Sequence, residues 1–376
     1  MKIYIVTGEK SGDQHAADIV RHLNRKGKNL KIRAWGGEKL KEQGVTLAKH
    51  INEISYMGFW EVFKNLFKIF NNLKFCKRDI LNFSPDLIFL VDYPGFNLKI
   101  AEFASNNNIK VYYYISPKIW AWKSSRIHII KKYIDKMFVI FPFEKEFYKN
   151  YGFDVEYYGN PIYDSVINNQ YTLEPSPNLP VISLFPGSRK QEIDKILPLM
   201  LKAVSDFSKY QLIISATNSF SIDYYNKFIE NYKLSSNYNQ TCNIDILFDR
   251  PYDILSISKA ALVTSGTATL ETALMNVPQL VCYKTSLISY FIAKYFINIK
   301  YISLVNILLD KLVVDELIQF DLTVENIKKG LDKLINEDNR VLSSDYNNLK
   351  NLLKSKGVAK KLASEILEIK ASQFFL

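Results

Sequence analysis

The chain alternates short apolar runs with longer amphipathic segments along almost its whole length. Runs of about five apolar residues, such as Leu87 to Val91 and Val181 to Phe185, are typical of strands buried on both faces of a parallel sheet. Further strands are predicted over 3–7, 31–35, 110–115, 136–140, 157–161, 211–215, 245–248, 260–263 and 278–283. Between them, apolar residues recur at helical spacing. The alternation predicts an α/β protein built on doubly wound parallel sheets.

Prolines interrupt this alternation near the middle of the chain. Residues 171–180 carry three prolines in ten positions, which is typical of an interdomain linker. The length of 376 residues also favours two domains over one. We therefore predict a first domain over 1–170, a linker over 171–180, a second domain over 181–350 and a C-terminal helical segment over 351–376.

The composition favours anionic partners and a reducing compartment. Lys and Arg number 49 against 38 Asp and Glu, a net charge of +11, which suits phosphates, nucleic acid or an acidic membrane surface. No long block of like charge forms a nucleic-acid tail. The three cysteines, Cys76, Cys242 and Cys282, lie far apart and indicate neither disulfides nor a zinc site. The N-terminus enters a strand directly, and no run of about 18 apolar residues appears, so we expect a cytoplasmic protein with peripheral membrane contact at most.

Two strand ends in the first domain carry polar residues. Asp92 follows the strand Leu87 to Val91, and in open α/β sheets ligands bind outside the carboxyl ends of strands. Asp92 is a candidate catalytic base; alternatively, its side chain only caps the Pro-Gly turn that follows. The first strand leads into Gly8 to Asp13 and a helix predicted from Gln14 to Arg25. This loop lacks the dinucleotide-binding spacing and suits either a tight turn or a loop that binds a polar ligand.

A helix predicted from Tyr56 to Phe75 is unusually aromatic and basic. Its apolar residues recur at helical spacing, but further apolar side chains widen the surface beyond one stripe. A helix of this kind packs its stripe on the sheet in most domains, yet an interfacial membrane contact or an acyl-chain groove has the same composition. The two interpretations can apply to different turns. The candidate lipid-contacting residues are Phe59, Trp60, Phe63, Phe67 and Phe70.

Two helix starts in the second domain have the composition of phosphate sites. After the strand Val181 to Phe185, backbone N–H groups and the positive end of the helix dipole would meet an anion, and Arg189 would add a charge-assisted pair. After the strand over 260–263, small and hydroxyl residues permit close approach of a phosphate, although a well-capped helix also uses hydroxyls. Glu271 could accept the two hydroxyls of a ribose. The candidates are Gly187, Ser188, Arg189, Ser265, Gly266, Thr267, Thr269 and Glu271.

Other positions allow two interpretations each. Asn306 is a lone polar residue in the run over 303–308, either satisfied by the backbone in the interior or aimed at a diphosphate or sugar. It follows a second aromatic, sparsely charged run, Leu287 to Ile302. Trp120 and Trp122 lie after a strand and either belong to the core or form a platform for a sugar ring or lipid.

Six short motifs lie in order along nearly the whole chain. They are Gly8-Glu9-Lys10-Ser11-Gly12-Asp13, Asp92-Tyr93-Pro94-Gly95-Phe96-Asn97, Ser116-Pro117-Lys118-Ile119-Trp120-Ala121-Trp122, Pro186-Gly187-Ser188-Arg189-Lys190-Gln191-Glu192-Ile193, Ser265-Gly266-Thr267-Ala268-Thr269-Leu270-Glu271 and Ser303-Leu304-Val305-Asn306. In this order they resemble the lipid-A-disaccharide synthase family, which has the two-domain B-type (GT-B) glycosyltransferase architecture. The chain departs from the family pattern at Lys123, Asn160 and Val305, where Arg, His and Pro are common.

The resemblance implies a fold, a reaction and roles for the candidate residues. The fold would be two Rossmann-like domains facing across a cleft, with the C-terminal helix packing back toward the first domain. The reaction would transfer 2,3-diacylglucosamine from UDP-2,3-diacylglucosamine to the 6-hydroxyl of 2,3-diacylglucosamine 1-phosphate, giving the β-1,6-linked lipid A disaccharide 1-phosphate and UDP.

An α-linked donor that gives a β product implies a single in-line displacement. Asp92 would deprotonate the 6-hydroxyl, while Arg189, Asn306 and the helix start at Ser265 to Thr269 would stabilise the departing diphosphate. By the resemblance, Glu9 and Ser11 belong to the same catalytic cleft.

The expected partners are the two lipid substrates and the cytoplasmic face of the inner membrane, with no nucleic acid and with a homodimer also compatible. The four histidines lack ligand spacing and no Asp-x-Asp is present, so we expect a metal-independent enzyme without a cofactor. Competing interpretations are a UDP-sugar epimerase, another GT-B glycosyltransferase acting on a lipid acceptor, or a non-catalytic nucleotide-binding or membrane scaffold protein.

Overall fold

The computed structural model describes residues 1–27, 29–53, 66–121, 124–173, 179–234, 244–296, 300–355 and 357–372. The chain divides into two compact units, Met1–Pro161 with Ser355–Leu376, and Ile162–Lys354. Each unit is built on a parallel sheet of its own.

The strands and helices alternate along the chain as the sequence predicts. The strands are β1 (Lys2–Val6), β2 (Lys31–Gly36), β3 (Thr46–His50), β4 (Leu87–Val91), β5 (Lys110–Tyr114), β6 (Lys136–Val139), β7 (Glu156–Tyr157), β8 (Val181–Phe185), β9 (Gln211–Ala216), β10 (Ile244–Phe248), β11 (Ser258–Thr264), β12 (Gln279–Tyr283) and β13 (Glu316–Ile318). The α-helices are α1 (Lys10–Lys26), α2 (Glu38–Glu42), α3 (Leu66–Phe83), α4 (Pro94–Asn106), α5 (Ile127–Tyr133), α6 (Pro142–Asn150), α7 (Pro161–Asn168), α8 (Lys190–Ala203), α9 (Ile222–Lys233), α10 (Pro251–Ile257), α11 (Thr267–Leu274), α12 (Leu287–Phe296), α13 (Leu304–Leu309), α14 (Val324–Asn336), α15 (Arg340–Leu353) and α16 (Val358–Ser372). Short 3-10 helices lie at Ile51–Glu53, Ser124–Arg126 and Val204–Asp206.

The first sheet has the strand order β3-β2-β1-β4-β5-β6-β7. Strand β1 lies between β2 and β4, with Val6 opposite both Trp35 and Leu90. All five residues of β4 are buried because both faces of the sheet are covered. Ile88 and Leu90 face the core that contains α4 and α5, and the intervening residues face the core that contains α1. This two-sided burial explains the continuous apolar run that predicted the strand.

The C-terminal helix α16 packs in the first unit, as predicted. Its residues Leu362 and Ile366, one turn apart, lie in the same buried cluster as Ile19 and Val20 of α1 and Ile5 of β1. Burial of each such side chain contributes about 1.5–3 kcal/mol, so α16 is an integral part of this unit's core.

The second sheet has the strand order β10-β9-β8-β11-β12-β13. Helices α8, α9 and α14 cover one face through a cluster that includes Ile196, Tyr225 and Ile327, and α10 packs on the other face through Ile254 and Leu255. The two sheets with flanking helices confirm the predicted fold class of two Rossmann-like units.

The element boundaries differ from the predicted ones in several places. Strands β3 and β13 were not predicted, because β3 is only half-buried and β13 is three residues long. Helix α1 begins at Lys10, so the expected Gly8 to Asp13 loop is mostly the first helical turn. The aromatic helix continues to Phe83, and its predicted beginning at 56–65 lies outside the described residues.

The division between the units also differs from the predicted domain limits. Contacts group Ile162 with the second unit, earlier than the expected limit at residue 170, and return the chain to the first unit at Ser355. The segment from Ile162 to Thr172 joins the second unit, where the Tyr171 hydroxyl contacts the Met275 sulfur and the Thr172 N–H donates to Asp253. Residues 174–178 of the predicted linker lie outside the described part.

Candidate functional site

Each sheet has one topological switch point, at which the order of the strands reverses direction across the sheet. The predicted sites lie at these two points. In the first sheet this switch is between β1 and β4, which lead into Gly8 and Asp92. In the second sheet it is between β8 and β11, which lead into Gly187 and Ser265. The carboxyl ends of parallel strands at a switch point form a crevice in which ligands of open α/β sheets bind.

The backbone at Asp92 is strained. Asp92 and Tyr93 have φ values of +49° and +50°, in the left-handed region that side-chain-bearing residues seldom adopt. Two successive residues of this kind store energy, of order 1–3 kcal/mol each, that the surrounding structure must offset. The turn reverses the chain sharply, so that Pro94 can begin α4 at once.

Buried polar side chains hold this turn in place. The Asp92 carbonyl oxygen accepts hydrogen bonds from the Asn97 side-chain amide at 2.7 Å and from the Tyr113 hydroxyl at 2.5 Å. The Asp92 N–H donates to the Tyr114 carbonyl at 2.9 Å. Asn97 is fully buried and also reaches the carbonyl oxygens of Val6 and Val91, which ties the turn to both switch-point strands. Asn97 ends the second of the six motifs, but neither Asn97 nor Tyr113 was among the candidate site residues.

The Asp92 carboxyl group lies in a buried environment that changes its pKa. Burial raises its pKa, while the positive charge of Lys118 and a hydrogen bond from the Tyr93 N–H oppose the rise. The bond from the Tyr93 N–H is local to the turn, and it is compatible with the capping interpretation as well as with the catalytic one. Capping and catalysis are compatible here, because a carboxylate has acceptor positions for both.

The start of α1 lies against the Asp92 turn. A Cβ atom added at Gly8 would fall within 2.6 Å of three atoms of the Tyr93 ring, so only glycine allows this approach. Glu9 is the N-cap of α1, and the exposed Ser11 lies in its first turn. The structure therefore brings Glu9, Ser11 and Asp92 to one edge of the first sheet.

Asp13, in the same motif, has a structural role. Its buried carboxylate accepts hydrogen bonds from the backbone N–H groups of Gly37 at 2.6 Å and Lys39 at 3.0 Å. These groups belong to the beginning of α2, so Asp13 caps a neighbouring helix from within α1.

The loop that carries Lys118 is fixed by Glu144, another residue that sequence patterns did not single out. One oxygen of this buried carboxylate accepts from the Ser116 hydroxyl at 2.7 Å and the Trp120 indole at 3.3 Å. The other accepts from the N–H groups of Ile140 and Phe141 at 3.1 and 3.0 Å. Burial raises the pKa of Glu144, and these four donors oppose the rise. Trp120 is thus anchored at its polar end, whereas Trp122 and Lys123 lie outside the described residues.

Helix α3 divides its apolar residues between the core and the solvent. Cys76 and Ile80 are fully buried in the first unit, whereas Phe67 and Phe70 are 87% and 67% exposed. The interpretation in which the apolar side chains of this helix pack on the sheet therefore does not apply to the rings of Phe67 and Phe70. The other candidate lipid-contacting residues, Phe59, Trp60 and Phe63, lie outside the described part.

In the second unit, the first predicted phosphate loop joins β8 to α8. Gly187 has φ +103°, and a Cβ atom there would lie 2.5 Å from a Glu192 carboxylate oxygen, so glycine is required. Ser188 is exposed, and the exposed guanidinium of Arg189 pairs with Glu192 at 3.1 Å. Glu192 holds Arg189 at the start of α8, where an incoming anion would find it.

The second predicted phosphate loop joins β11 to α11. Gly266 and Thr267 are exposed at the start of the helix. The Thr269 hydroxyl donates to the Gly266 carbonyl at 2.8 Å and is buried, so it stabilises the turn and does not face a ligand. The Ser265 hydroxyl donates to the Ile302 carbonyl at 2.9 Å.

Glu271, the predicted ribose acceptor, lies one turn inside α11. The Tyr252 hydroxyl donates to one of its carboxylate oxygens at 3.1 Å. Burial raises the pKa of Glu271, and the bond from Tyr252 opposes the rise. Tyr252 thus orients this carboxylate and favours its ionised form.

Asn306 is engaged within the protein, and the predicted direct contact with a diphosphate is not supported. Its amide donates to the Val314 carbonyl and to Glu316, both at 2.8 Å, and its oxygen accepts from the N–H groups of Val313 and Val314. Both hydrogens and both lone pairs are therefore used. Glu316 also accepts from the N–H groups of Ile302 and Ser303, so Asn306 and Glu316 together shape the loop that Ser265 contacts.

Among the described residues, no group of three or more His, Cys, Asp and Glu side chains could hold a metal ion. None of the helices in the described ranges is long and apolar enough to span a bilayer.

Solved structures define the fold class of the chain. A kitacinnamycin glycotransferase superposes with a TM-score of 0.67 at 10% identity, covering 98% of each chain. A UDP-GlcNAc 2-epimerase from Neisseria meningitidis, bound to UDP-GlcNAc, superposes with a TM-score of 0.65 at 14% identity, covering 98% of this chain and 100% of that one. The fold is that of the GT-B glycosyltransferases and related epimerases.

Sequence relationships place the chain within this class. The model of the lipid-A-disaccharide synthetase family matches residues 3–369. Lipid-A-disaccharide synthase 1 of Legionella pneumophila (strain Philadelphia 1) is 35% identical over 354 residues, which span 91% of this chain and 90% of that protein. Lipid-A-disaccharide synthase of Coxiella burnetii (strain Dugway 5J108-111) is 33% identical over 349 residues, 90% of this chain and 89% of that protein. This chain belongs to the lipid-A-disaccharide synthetase family.

Proposed function

We propose that the chain is an inverting glycosyltransferase that transfers 2,3-diacylglucosamine from UDP-2,3-diacylglucosamine to 2,3-diacylglucosamine 1-phosphate. The single observation that carries the mechanism is Asp92, a base-like carboxylate at the switch point of the first sheet, in a chain of this family. We assign the acceptor to the first unit and the UDP part of the donor to the second.

The chemistry is one displacement. The acceptor 6-hydroxyl oxygen bonds to the anomeric carbon of the donor as its proton passes to the Asp92 carboxylate. The bond from the anomeric carbon to the diphosphate breaks, and its electron pair leaves with UDP. Attack opposite the leaving group converts the α linkage into the β-1,6 linkage.

Groups of the second unit would stabilise the leaving diphosphate. Arg189 carries a permanent charge, and the start of α8 adds the positive end of a helix dipole, so both favour the negative charge that develops. Exposed backbone at Gly266 and Thr267 would contact a phosphate, and Glu271 would bind the ribose hydroxyls. Asn306 and Thr269 would act indirectly, by shaping the loops. With these charges supplied by the protein, we expect turnover without a divalent cation, measured with and without EDTA.

Asp92→Asn tests the mechanism. Purified protein is mixed with both lipid substrates in detergent, and disaccharide 1-phosphate is quantified by mass spectrometry. We expect turnover to fall by at least about 100-fold with UDP affinity nearly unchanged, because the base is lost and the nucleotide site is not. Asp154→Asn, an exposed aspartate of the same unit, is the matched control. Normal turnover by Asp92→Asn would show that another group is the base.

The same assay separates the reaction from epimerisation. Without acceptor, the proposed reaction produces no disaccharide and leaves the donor sugar unchanged. Conversion of the donor into an epimer without acceptor would identify an epimerase instead.

The chain is further proposed to act as a peripheral protein on the cytoplasmic face of the inner membrane. The exposure of Phe67 and Phe70 on α3 supports this, since both substrates carry acyl chains. Phe67→Ser/Phe70→Ser should weaken binding to anionic vesicles or raise the apparent KM for lipid. Leu81→Ser/Ile129→Ser, at exposed apolar positions of the same unit, is the control. No change in either quantity would exclude these rings from lipid contact. Size-exclusion chromatography would test for the homodimer.

A further inference from the structure

Helix α12 presents an apolar stripe to solvent. Leu287, Phe291 and Tyr295 are each four residues apart and therefore lie on one face of the helix. They are 54%, 58% and 85% exposed. The ring of Tyr290 packs edge-on against the exposed Phe320 at 5.8 Å, which ties the helix to the loop after β13. Large apolar side chains gathered on one surface in this way mark a binding site more often than chance.

The segment around the stripe is positively charged. From residue 284 to residue 309 the sequence contains three lysines and neither Asp nor Glu. Lys284 and Lys195 line a cavity of about 400 Å³ whose wall includes Leu287, and the described residues that line it contain no carboxylate. Aromatic and aliphatic side chains flanked by lysines suit an anionic lipid surface, because rings enter the headgroup boundary while ammonium groups meet phosphates.

We propose that α12 is a membrane-contact element of the second unit, in which Leu287, Phe291 and Tyr295 insert into an anionic bilayer surface and the adjacent lysines bind its phosphates. This contact is additional to the one assigned to α3 in the first unit. It rests on the proposed function, because lipid substrates are what bring the chain to a bilayer. A second copy of the chain fits the stripe less well, since symmetric pairing would bring together two segments that both carry lysines and no carboxylate, which adds like-charge repulsion.

The first test measures partitioning onto vesicles without substrate. Vesicles of phosphatidylglycerol and phosphatidylethanolamine are floated with wild type, with Leu287→Ser/Phe291→Ser/Tyr295→Ser, and with a control triple variant. The control is Ile222→Ser/Leu234→Ser/Val341→Ser, which removes three exposed apolar side chains elsewhere in the second unit. We expect at least about 10-fold weaker partitioning for the α12 variant and less than about twofold for the control. Equal partitioning by wild type and the α12 variant would overturn the proposal.

Two further readouts test the charge and the occupant. Replacing phosphatidylglycerol by phosphatidylcholine should weaken wild-type binding, and Lys294→Gln/Lys300→Gln should reduce that dependence. Vesicle binding that is equally strong with and without phosphatidylglycerol would overturn the assignment of the lysines. If the wild type is a dimer in size-exclusion chromatography and the α12 variant is a monomer, the stripe covers a second copy and the proposal is wrong.

A single-site label avoids the risk that the triple variant misfolds. Tyr295→Cys in a Cys242→Ser background is labelled with an environment-sensitive fluorophore, while the buried Cys76 and Cys282 stay protected. Vesicles should shift the emission to the blue at position 295, and the same label at Leu234→Cys should not respond. No shift at 295, or equal shifts at both positions, would refute insertion of α12. Disaccharide formation from detergent-dispersed substrates tests the proposed function alone. Failure of the proposed function is therefore distinguishable from failure of the proposed membrane contact of α12.

Discussion

Substituting Gly8 by Ala tests whether the α1 start positions the Asp92 turn, which carries the proposed base. The added Cβ would fall within 2.6 Å of three Tyr93 ring atoms, whereas carbon atoms settle at about 3.5–4 Å, so the ring must withdraw by roughly 1 Å. The ring also stacks on Phe96 at 5.5 Å, and the Tyr93 backbone is already in the left-handed region. The displacement should therefore reach Asp92 next to it.

Two magnitudes follow for Gly8→Ala. Overpacking of this kind lowers the free energy of unfolding by about 1–3 kcal/mol. A reacting group misplaced by about 1 Å loses on the order of 100-fold in kcat. UDP affinity should be unchanged, because the residues proposed to bind UDP lie in the second unit. Disaccharide formation, thermal unfolding and calorimetric titration with UDP measure the three quantities.

Gly95→Ala is the matched control, because no atom lies within 4 Å of its added Cβ. This position is in the first turn of α4, where Ala is favoured over Gly by up to about 1 kcal/mol, so stability should be kept or improved. In a Tyr93→Ala background, Gly8→Ala should cause no further loss. A Gly8→Ala enzyme with kcat within about threefold of wild type would refute the reasoning, as would an equal loss in Gly95→Ala.

Three further substitutions test the groups around the two sites. Lys118→Met should move the acidic limb of the pH profile of kcat/KM to higher pH. Asp92 must be ionised to accept a proton, so activity disappears as the pH falls through its pKa, and the Lys118 charge lowers that pKa. An acidic limb at the same pH in the variant would contradict this. Glu144→Ala should lower the free energy of unfolding by about 3 kcal/mol or more, because four donors lose their acceptor. Denaturant titration measures this quantity, and a change below about 1 kcal/mol would argue against a structural role of Glu144. Tyr252→Phe should weaken UDP binding about fivefold in calorimetry because Glu271 loses the hydroxyl that orients it, and unchanged affinity would remove Glu271 from the nucleotide site.

Local pattern predicted where the candidate residues lie in the fold better than it predicted their contacts. Asp92 and Arg189 follow continuous apolar runs, so their placement at strand ends was visible in the sequence. The hydroxyl that holds the Asp92 turn belongs to Tyr113, inside an aromatic strand. The strand β5 contains other tyrosines beside Tyr113. Which of them reaches the turn depends on the pairing of β5 with β4, a long-range contact that no local pattern encodes.

The buried polar residues show the same limit in two forms. Asn306 looked like a donor for a ligand because its partners, at Val313, Val314 and Glu316, are in a later loop and a three-residue strand. Glu144, in contrast, could have been found. The sequence before it places Pro at the first helical position and Glu at the third, which is a capping signature. Its contacts with Ser116 and Trp120, which are distant in the sequence, could not be predicted from a local pattern.

The return of α16 to the first unit has a consequence for synthesis of the protein. The ribosome makes β1 to β7 first, but part of the cover over Ile3 and Ile5 arrives only after the whole second unit has been translated. At about 5–20 residues per second, that delay is roughly 10 to 40 s. During this time the nascent first unit exposes apolar strands that can aggregate or bind a chaperone. Loss of the last helix should therefore impair folding of the first unit during synthesis, whereas the second unit can already fold.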